Sequence, residues 1–312
     1  MKFLVAGGAG FIGSSLTVTL LKQGHQVLVL DDFSTGEKQN LSEYLSDSNL
    51  EILTKDVTNI ETLNFDVEGI FNLACPASPI QYQIDPVKTI RTSFMGSLNL
   101  LELAREKRVP IFQASTSEIY GDPTVSPQRE DYWGNVNPIG IRSCYDEGKR
   151  AAETLFFDFH RQYGINIKVA RIFNTYGPGM KIDDGRVVTN FIVSALQNKP
   201  ITIYGEGTQT RSFCYIDDMV EAIIRFFNTV PEVVGPMNLG NPSEYTMLEL
   251  ASKIIKLTNS SSPLEYKSLP EDDPKQRRPD IRRAQELINW EPKISIDEGL
   301  TKTIAYLKDK IG

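Results

Sequence analysis

A glycine-rich turn near the start of the chain constrains its fold more than any other feature of the sequence. The segment "VAGGAGFIGSSL" places Gly8, Gly10 and Gly13 in a G-x-G-x-x-G spacing, with Gly7 beside them. The segment follows a short apolar run and opens a helical pattern, which is the context that such a turn requires. Glycines here permit close approach of the backbone to a pyrophosphate, and the helix N-terminus favours the anion. The turn therefore predicts a strand–helix–strand unit that binds a dinucleotide.

Acidic residues follow the next two apolar runs. The run "QVLVL" ends in Asp31 and Asp32, where a carboxylate can bind the adenosine ribose hydroxyls and would repel a 2′-phosphate. This favours NAD over NADP as the cofactor, although a glycine turn followed by a helix-capping acid is the structural alternative. Asp56, after the third run, could bond the adenine amino group or cap a turn.

The first half of the chain alternates strand-like and helix-like patterns. The predicted strands are 3–7, 26–30, 50–53, 69–74, 109–115 and 165–173, and the predicted helices are 11–23, 88–107 and 145–163. Short apolar strands separated by helices are typical of a parallel sheet with helices on its faces. We predict an α/β fold, with a Rossmann-type doubly wound parallel sheet in a cofactor domain over residues 1–175.

The second half has a less regular pattern. It predicts helices at 186–198, 217–229, 247–258 and 296–309 and a short strand at 201–205. We expect a smaller, mixed α/β substrate lobe over residues 176–312, interleaved with the first domain through segments near 210–240. Such a lobe would cover the carboxyl edge of the sheet, where ligands of doubly wound folds bind.

Composition narrows the partners and the compartment. A net charge of −7 argues against general binding to nucleic acid or to a membrane surface. Three cysteines fit a reducing compartment, so we expect a cytoplasmic protein. With two separated histidines and no cysteine cluster, no metal site is predicted. The apolar N-terminal stretch is too short for a signal peptide, and no run is long enough to cross a membrane.

A tyrosine and a lysine stand four residues apart in "CYDEGKR". On a helix, Tyr145 and Lys149 lie on one face, although a Y-x-x-x-K pair also occurs by chance. Here the pair comes after the glycine turn and after the polar strand end "ASTSEIYG" at 114–121. This combination resembles the extended short-chain dehydrogenase/reductase superfamily, which acts on nucleotide sugars.

The resemblance implies a chemical role for each member of the pair. Tyr145 would be the base that takes the proton of a sugar hydroxyl, because a lysine ammonium and the positive nicotinamide lower a phenol pKa from ~10. Thr116 would hydrogen-bond the same oxygen, and Lys149 would also hold the nicotinamide ribose. The further cofactor contacts implied are Gly7, Gly10, Phe11, Ile12, Gly13, Val57, Leu73, Thr92 and Arg186.

The two residues after Thr116 point to a subgroup. Dehydratases of this superfamily usually carry Asp-Glu there, and simple hexose epimerases carry small or neutral residues, whereas this chain has Ser117 and Glu118. Serine followed by glutamate resembles the UDP-glucuronate decarboxylases, also called UDP-xylose synthases. The likeness extends over nearly the whole chain, through "ACPASP", "EDYWGNVNPIG", "ARIFNTYGP", "TIYGEGTQTRSF" and "KQRRPDI".

That resemblance implies an NAD-dependent decarboxylation of UDP-glucuronate. Oxidation at C4 would make a ketone β to the C6 carboxylate, CO₂ would leave, and hydride return would give UDP-xylose and regenerate NAD. Arg277 would orient the sugar acid and Glu118 would position the ring and a water that reprotonates C5. The alternative for Arg277 is a solvated basic cluster, "KQRRPDIRR". The substrate contacts implied are Asn174 and Arg211 at the diphosphate, Tyr204 at the uracil, and also Ser117 and Arg277.

Other functions share the first chemical step. A UDP-glucuronate 4-epimerase would rotate the 4-ketone, and a third type of enzyme would release the 4-keto pentose and NADH. A different class, an NAD-binding sensor or scaffold without turnover, is opposed by the intact Thr116, Tyr145 and Lys149. Family analogy also implies a homodimer in which helices 88–107 and 145–163 pack against their copies.

Overall fold

A computed structural model of the protein describes residues 1–60, 66–269 and 276–311, so Lys275, the first residue of "KQRRPDI", lies outside the described residues. The strands are β1 Lys2–Ala6, β2 Gln26–Asp31, β3 Leu50–Thr54, β4 Gly69–Asn72, β5 Ile111–Thr116, β6 Ile167–Ile172, β7 Thr175–Tyr176, β8 Ile201–Tyr204, β9 Thr210–Ser212, β10 Cys214–Tyr215, β11 Met237–Leu239, β12 Glu244–Thr246, β13 Leu264–Lys267 and β14 Gln276–Arg277.

The helices agree with the sequence pattern to within a few residues at most ends. They are α1 Phe11–Lys22, α2 Pro79–Tyr82, α3 Pro86–Arg91, α4 Ser97–Lys107, α5 Ser143–Tyr163, α6 Val187–Leu196, α7 Ile216–Phe227, α8 Met247–Thr258, α9 Arg282–Ile288 and α10 Ile296–Ile311. A wide π-helical turn, Thr92–Gly96, joins α3 to α4, so the helix expected over 88–107 is an almost continuous helical rod.

The central sheet has seven parallel strands in the order β11-β6-β5-β4-β1-β2-β3. The strand order reverses between β1 and β4, which opens a crevice at the carboxyl edge. Both faces are covered: Val27 and Val29 pack into one apolar core, and Leu28 and Leu30 pack into the other. Successive side chains of a strand point to opposite faces, so a strand buried on both sides reads as an unbroken apolar run.

The second half of the chain contributes to both layers of the molecule. Strand β11 pairs in parallel with β6, and α7 packs against α1. The remaining strands form small sheets, with β13 paired to β8 and β9 lying between β12 and β14. This arrangement confirms the predicted doubly wound parallel sheet with a smaller, mixed α/β lobe.

Candidate active site

One large cleft, with a volume of about 810 Å³, runs along the carboxyl edge of the sheet and below the smaller lobe. All the candidate site residues from the sequence line it: Gly7, Gly10, Phe11, Ile12, Gly13, Asp31, Asp32, Asp56, Val57, Leu73, Thr92, Thr116, Ser117, Glu118, Tyr145, Lys149, Asn174, Arg186, Tyr204, Arg211 and Arg277. The structure therefore brings these side chains together, and their individual roles remain predictions.

The glycine turn forms one end of the cleft. A Cβ on Gly13 would lie 2.0 Å from the carbonyl oxygen of Gly7, so only glycine allows α1 to start this close to the turn. Gly10 is the N-cap of α1, and the first turn of that helix carries no acidic side chain. Its backbone amides are thus suited to an anionic diphosphate. Gly8 instead packs against Val29 outside the cleft, so the glycines that line it are Gly7, Gly10 and Gly13.

The two carboxylates at the end of β2, Asp31 and Asp32, have different partners. Asp31 is buried and accepts hydrogen bonds from the backbone N–H groups of Ala9 and Phe33, each at 2.9 Å, which ties the glycine turn to β2. Burial raises the pKa of Asp31. Asp32 pairs with the ammonium of Lys88 on α3 at 2.7 Å. Burial alone would raise the pKa of Asp32, but the hydrogen bonds from Lys88 and Ser34 and the charge of Lys88 together outweigh burial and lower it.

Asp56 caps a short helical turn, because its carboxylate accepts the backbone N–H of Thr58 at 2.8 Å. The side chain also lines the cleft. Both functions considered from the sequence, capping and adenine binding, thus remain compatible with its position.

The polar residues at the end of β5 and in the turn that follows it have two different sets of contacts. The hydroxyl of Ser115 donates to Glu153 at 2.6 Å, and Glu153 is in turn paired with Arg171 inside the molecule. Thr116 ends the strand, and its hydroxyl accepts the backbone N–H of Glu118 at 3.2 Å. This bond starts the 3-10 turn Ser117–Tyr120 and holds Thr116 and Glu118 together at the cleft.

Tyr145 and Lys149 lie in the first two turns of α5, both buried. Thr116 is near enough to the Tyr145 hydroxyl to lower its pKa, and the Lys149 ammonium donates to the carbonyl of Ala114 at 2.9 Å. The ammonium also lies 5.8 Å from the centre of the Tyr145 ring. Burial raises the pKa of Tyr145, with further contributions from Cys75 and Glu118, and burial lowers the pKa of Lys149. With these side chains alone the phenol holds its proton at neutral pH, so additional positive charge is needed to make it a base.

Glu118 is the centre of a buried ionic network. One carboxylate oxygen accepts from Arg142 at 2.7 Å, and the other accepts from Arg277 at 3.3 Å. The hydroxyl of Tyr82 donates to the same carboxylate at 3.3 Å. Burial by itself raises the pKa of Glu118, but the charges of Arg277 and Arg142 outweigh burial and hold it below its usual range. Glu118 is therefore an anion fixed between two cations.

Sequence reasoning missed Tyr82, Arg142 and Asp146, which complete this network. The ring of Tyr82 stacks on the ring of Tyr145, with centroids 4.9 Å apart and planes 3° apart. Arg142 and Asp146 stand three residues before and one residue after Tyr145, and both are buried. Their closeness to the Tyr–Lys pair in sequence was the available signal, but charged residues at a helix start are usually solvated.

The smaller lobe supplies cations to the other wall of the cleft. Arg211 and Arg277 are register partners on the adjacent strands β9 and β14, and both are buried. Among the residues that the structure describes, no group forms a hydrogen bond with Nε of Arg277. Asn174 donates to the carbonyl of Ser212 at 3.3 Å beside them, whereas Tyr204 is at the exposed rim. Guanidinium groups in this position are suited to carboxylate or phosphate oxygens.

Arg186 lies near the glycine turn. Its guanidinium is 5.4 Å from the centre of the Phe11 ring and pairs with the buried Asp184 at 2.7 Å. This pairing holds a positive charge beside the N-terminus of α1, where a diphosphate would lie.

We also looked for a cysteine nucleophile, a metal site and a membrane-spanning helix. Burial raises the pKa of the Cys75 thiol, so this residue is not a thiolate nucleophile. Among the described residues no group of three histidine, cysteine or acidic side chains is placed to hold a metal ion. Over the same residues, no helix combines the length and the apolar character that spanning a membrane requires.

Comparisons with known proteins agree with this geometry. Residues 3–240 match the model of the NAD dependent epimerase/dehydratase family. The chain is 53% identical over 301 residues to UDP-glucuronic acid decarboxylase 3 of Arabidopsis thaliana, covering 96% of this chain and 87% of the plant protein. It is 48% identical over 310 residues to UDP-glucuronic acid decarboxylase 1 of Danio rerio, covering 99% and 73% of the two chains.

Solved structures share the fold at lower identity. UDP-glucuronic acid 4-epimerase from Bacillus cereus, in complex with UDP-glucuronic acid and NAD, superposes with a TM-score of 0.90 at 30% identity, covering 99% of this chain and 100% of that one. UDP-glucose 4-epimerase from Thermotoga maritima, with UDP-glucose, gives a TM-score of 0.91 at 29% identity and covers 100% of both chains.

Proposed function

Because the chain belongs to the NAD-dependent epimerase/dehydratase family, we propose that it converts UDP-glucuronate to UDP-xylose and CO₂ and regenerates its NAD. The observation that carries this proposal is Glu118, held between Arg142 and Arg277 beside the Tyr145–Thr116 pair. Relatives about half identical in sequence that bear the name UDP-glucuronic acid decarboxylase support the same substrate.

The cofactor end of the cleft fits NAD. Gly7, Gly10 and Gly13 leave room at the N-terminus of α1 for the diphosphate, and Arg186 adds a positive charge there. Asp31 also lines the cleft, and its carboxylate would bind the adenosine ribose. When bound, NAD⁺ accepts a hydride from C4 of the sugar and later returns it.

Tyr145 is the base for oxidation at C4. The positive nicotinamide and the Lys149 ammonium favour its phenolate, against the burial that raises its pKa. The phenolate takes the proton of the C4 hydroxyl, and Thr116 orients the same oxygen. Stacking on Tyr82 fixes the plane of the ring, so the oxygen keeps one direction.

Decarboxylation follows from the position of the new ketone. The C4 carbonyl lies β to the C6 carboxylate, so the electron pair of the C5–C6 bond moves into an enolate as CO₂ leaves. Hydrogen bonds from the Tyr145 hydroxyl and from Thr116 stabilise the negative oxygen at C4. Arg277 has an unpartnered Nε among the described residues and orients the carboxylate before it leaves.

A second candidate function, UDP-glucuronate 4-epimerase, is favoured by one observation. The structure of a UDP-glucuronic acid 4-epimerase superposes on nearly the whole chain. Its identity is 30%, against about 50% for the decarboxylases, so the decarboxylase is the better supported function. An enzyme that releases the 4-keto pentose is the third possibility within the same chemistry.

We also infer a cytoplasmic homodimer that binds neither nucleic acid nor membranes. The cysteines at 75, 144 and 214 are free thiols, as a reducing compartment allows. The segment from α3 to α4 exposes Val87, Ile90, Phe94 and Met95, an apolar face of a kind that commonly contacts a second subunit.

An NMR time course of the purified protein with UDP-glucuronate and no added NAD tests the proposed function. UDP-xylose is the expected product, and it would establish decarboxylation and hydride return with a retained cofactor. UDP-galacturonate would support the 4-epimerase, and a 4-keto pentose would support the releasing enzyme. If no product forms, NAD is added to the same tube. A spectrum that still shows no product would contradict the substrate assignment.

A further inference from the structure

Two buried acids, Asp146 and Glu118, interact at one wall of the cleft. Asp146 lies in the first turn of α5, and Glu118 lies in the turn after β5 and lines the cleft. The negative charge of Glu118 acts on the carboxyl group of Asp146. Two buried carboxylates that share a site are costly to ionise together, so one of them holds a proton at neutral pH.

The surroundings place this proton on Asp146. Arg142 and Arg277 both donate to Glu118 and stabilise its negative charge. Asp146 Oδ1 is buried, and none of the donors in the described parts of the chain forms a hydrogen bond with it. An ionised oxygen would be costly to leave in that state.

The charges around the pair agree with this assignment. Burial and the negative charge of Glu118 raise the pKa of Asp146 to about 8, while Arg142 and Arg277 act in the opposite direction. Within the part of the chain that the structure describes, Tyr82, Cys144 and Tyr145 also face the pair. Burial raises the pKa of each, so all three are neutral at neutral pH.

The proposed reaction consumes one proton that no step has yet supplied. Loss of CO₂ breaks the C5–C6 bond and leaves an enolate, and C5 must then form a bond to hydrogen. The proton that Tyr145 took from the C4 hydroxyl is needed again at the C4 oxygen when hydride returns. A separate group must therefore hold a proton before CO₂ leaves and then donate it to C5.

We propose that Asp146 is a positioning residue that stores this proton and delivers it to C5 through Glu118. The O–H bond of Asp146 breaks as Glu118 is protonated, and Glu118, directly or through a water that it holds, protonates C5. The negative charge that the enolate loses ends on the Asp146 carboxylate, and solvent reprotonates it before the next turnover. One proton is consumed for each CO₂ released, so the sequence balances. The inference rests on the proposed function.

The first test observes the stored proton without any turnover. Infrared difference spectra of the NAD-saturated enzyme between neutral and alkaline pH should show the carbonyl stretch of a protonated carboxyl that disappears through pH about 8. The band should be missing in Asp146→Asn and kept in Asp146→Glu, which retains an acid. A wild-type spectrum without such a band, or the same band in Asp146→Asn, would overturn the proposal. If Asp146→Asn does not fold, the wild-type spectrum still shows whether a protonated carboxyl is present.

The second test separates proton delivery from oxidation. In Asp146→Asn, the first burst of NADH absorbance should form at close to the wild-type rate, whereas UDP-xylose formation should slow by about tenfold or more. The wild-type kcat should fall above pH about 8, and that fall should be absent in Asp146→Asn and present in Asp146→Glu. Equal slowing of both steps, or an unchanged pH profile in Asp146→Asn, would contradict proton storage.

Glu147→Gln is the matched control for both tests. Glu147 is the next residue on α5, but it is partly exposed and pairs with Arg150 on the surface. Its spectra and its pH profile should match those of the wild type. The two proposals can fail separately. A wild-type enzyme that shows the band but makes no UDP-xylose contradicts only the proposed function. A wild-type enzyme that makes UDP-xylose but lacks the band contradicts only proton storage by Asp146.

Discussion

At the residue scale, the chemistry of Tyr145 depends on contacts that fix one ring in place. Tyr82 stacks on its face, the Lys149 ammonium lies 5.8 Å from the centre of its ring, and Thr116 is close enough to its hydroxyl to affect its pKa. Burial raises its pKa, so these contacts position the phenol while positive charge makes it a base. Geometry and protonation are therefore controlled by different neighbours.

Tyr145→Phe separates these two functions. Phenylalanine keeps the stack with Tyr82 and loses only the oxygen, so UDP-glucuronate should bind with an affinity close to wild type. Oxidation at C4 should slow by about 10²- to 10⁴-fold, because general base catalysis is lost. Calorimetric binding and single-turnover NADH absorbance measure the two effects. Tyr163→Phe, at an exposed position on the same helix, is the control; near-normal turnover in Tyr145→Phe would contradict the mechanism.

Glu118→Gln tests the anion between the two arginines. Glutamine keeps the shape but removes the charge, so Arg142 and Arg277 lose their buried counter-ion. The free energy of unfolding should fall by about 3 kcal/mol, and kcat should fall more than KM rises. Urea denaturation and steady-state kinetics measure these changes.

The control for Glu118→Gln is Glu102→Gln, which removes an exposed pair with Arg105. That change should cost about 0.5 kcal/mol or less. An effect of Glu118→Gln confined to KM would show that Glu118 binds the substrate and takes no part in the later steps.

At the element scale, the sequence predicts the long elements and misses the shortest ones. Helix α8 spans Met247–Thr258 as expected, because an apolar periodicity follows a capping box of Thr246 and Glu249. The two-residue strands β7, β10 and β14 are too short to show any periodicity. They form because distant segments pair with them, which is information that local sequence does not hold.

The parts of the site that depend on local sequence could be predicted, and the parts that depend on contacts between distant segments could not. Residues at the carboxyl ends of β1, β2 and β5 lie together because parallel strands all end at one edge of the sheet. The burial of Arg142 and Asp146 depends on Glu118 and Arg277, which are 159 residues apart in the chain. No pattern around residue 142 or 146 indicates that contact, so a sequence reading leaves both side chains in solvent.

The ion pair between Asp32 and Lys88 joins the end of β2 to α3 beside the cofactor cleft. Asp32→Asn should remove a carboxylate that repels a 2′-phosphate and release an ammonium that attracts one. We expect the ratio of NADP to NAD affinity to rise by about tenfold or more, which corresponds to roughly 1.4 kcal/mol. Fluorescence titration with each cofactor measures the ratio. Asp158→Asn, which removes a surface carboxylate of α5, should leave it unchanged; an unchanged ratio in Asp32→Asn would mean that Asp31 alone excludes NADP.

At the scale of the whole molecule, the cleft joins the two halves of the chain, while an apolar face lies on the outside. Arg277, from near the C-terminal end, meets Glu118 from the first domain, so closing the fold completes the ionic network. On the outer surface, Val87, Ile90 and Phe94 are spaced along α3 and the turn that follows it, with 62%, 41% and 38% of each residue exposed. This spacing forms one stripe along a helical rod, which suits packing against the same rod of a second subunit.

Replacing Ile90 and Phe94 together by glutamate tests this surface. Two carboxylates placed in an apolar interface cannot be buried without partners, so a dimer should dissociate to monomers. Light scattering at micromolar concentration should give a dimer mass for the wild type and a monomer mass for the double variant, with unchanged circular dichroism. Leu287→Glu is the control, since Leu287 is an exposed apolar residue on α9 and lies outside the stripe. A monomeric wild type, or a double variant that remains dimeric, would show that this face does not form the interface.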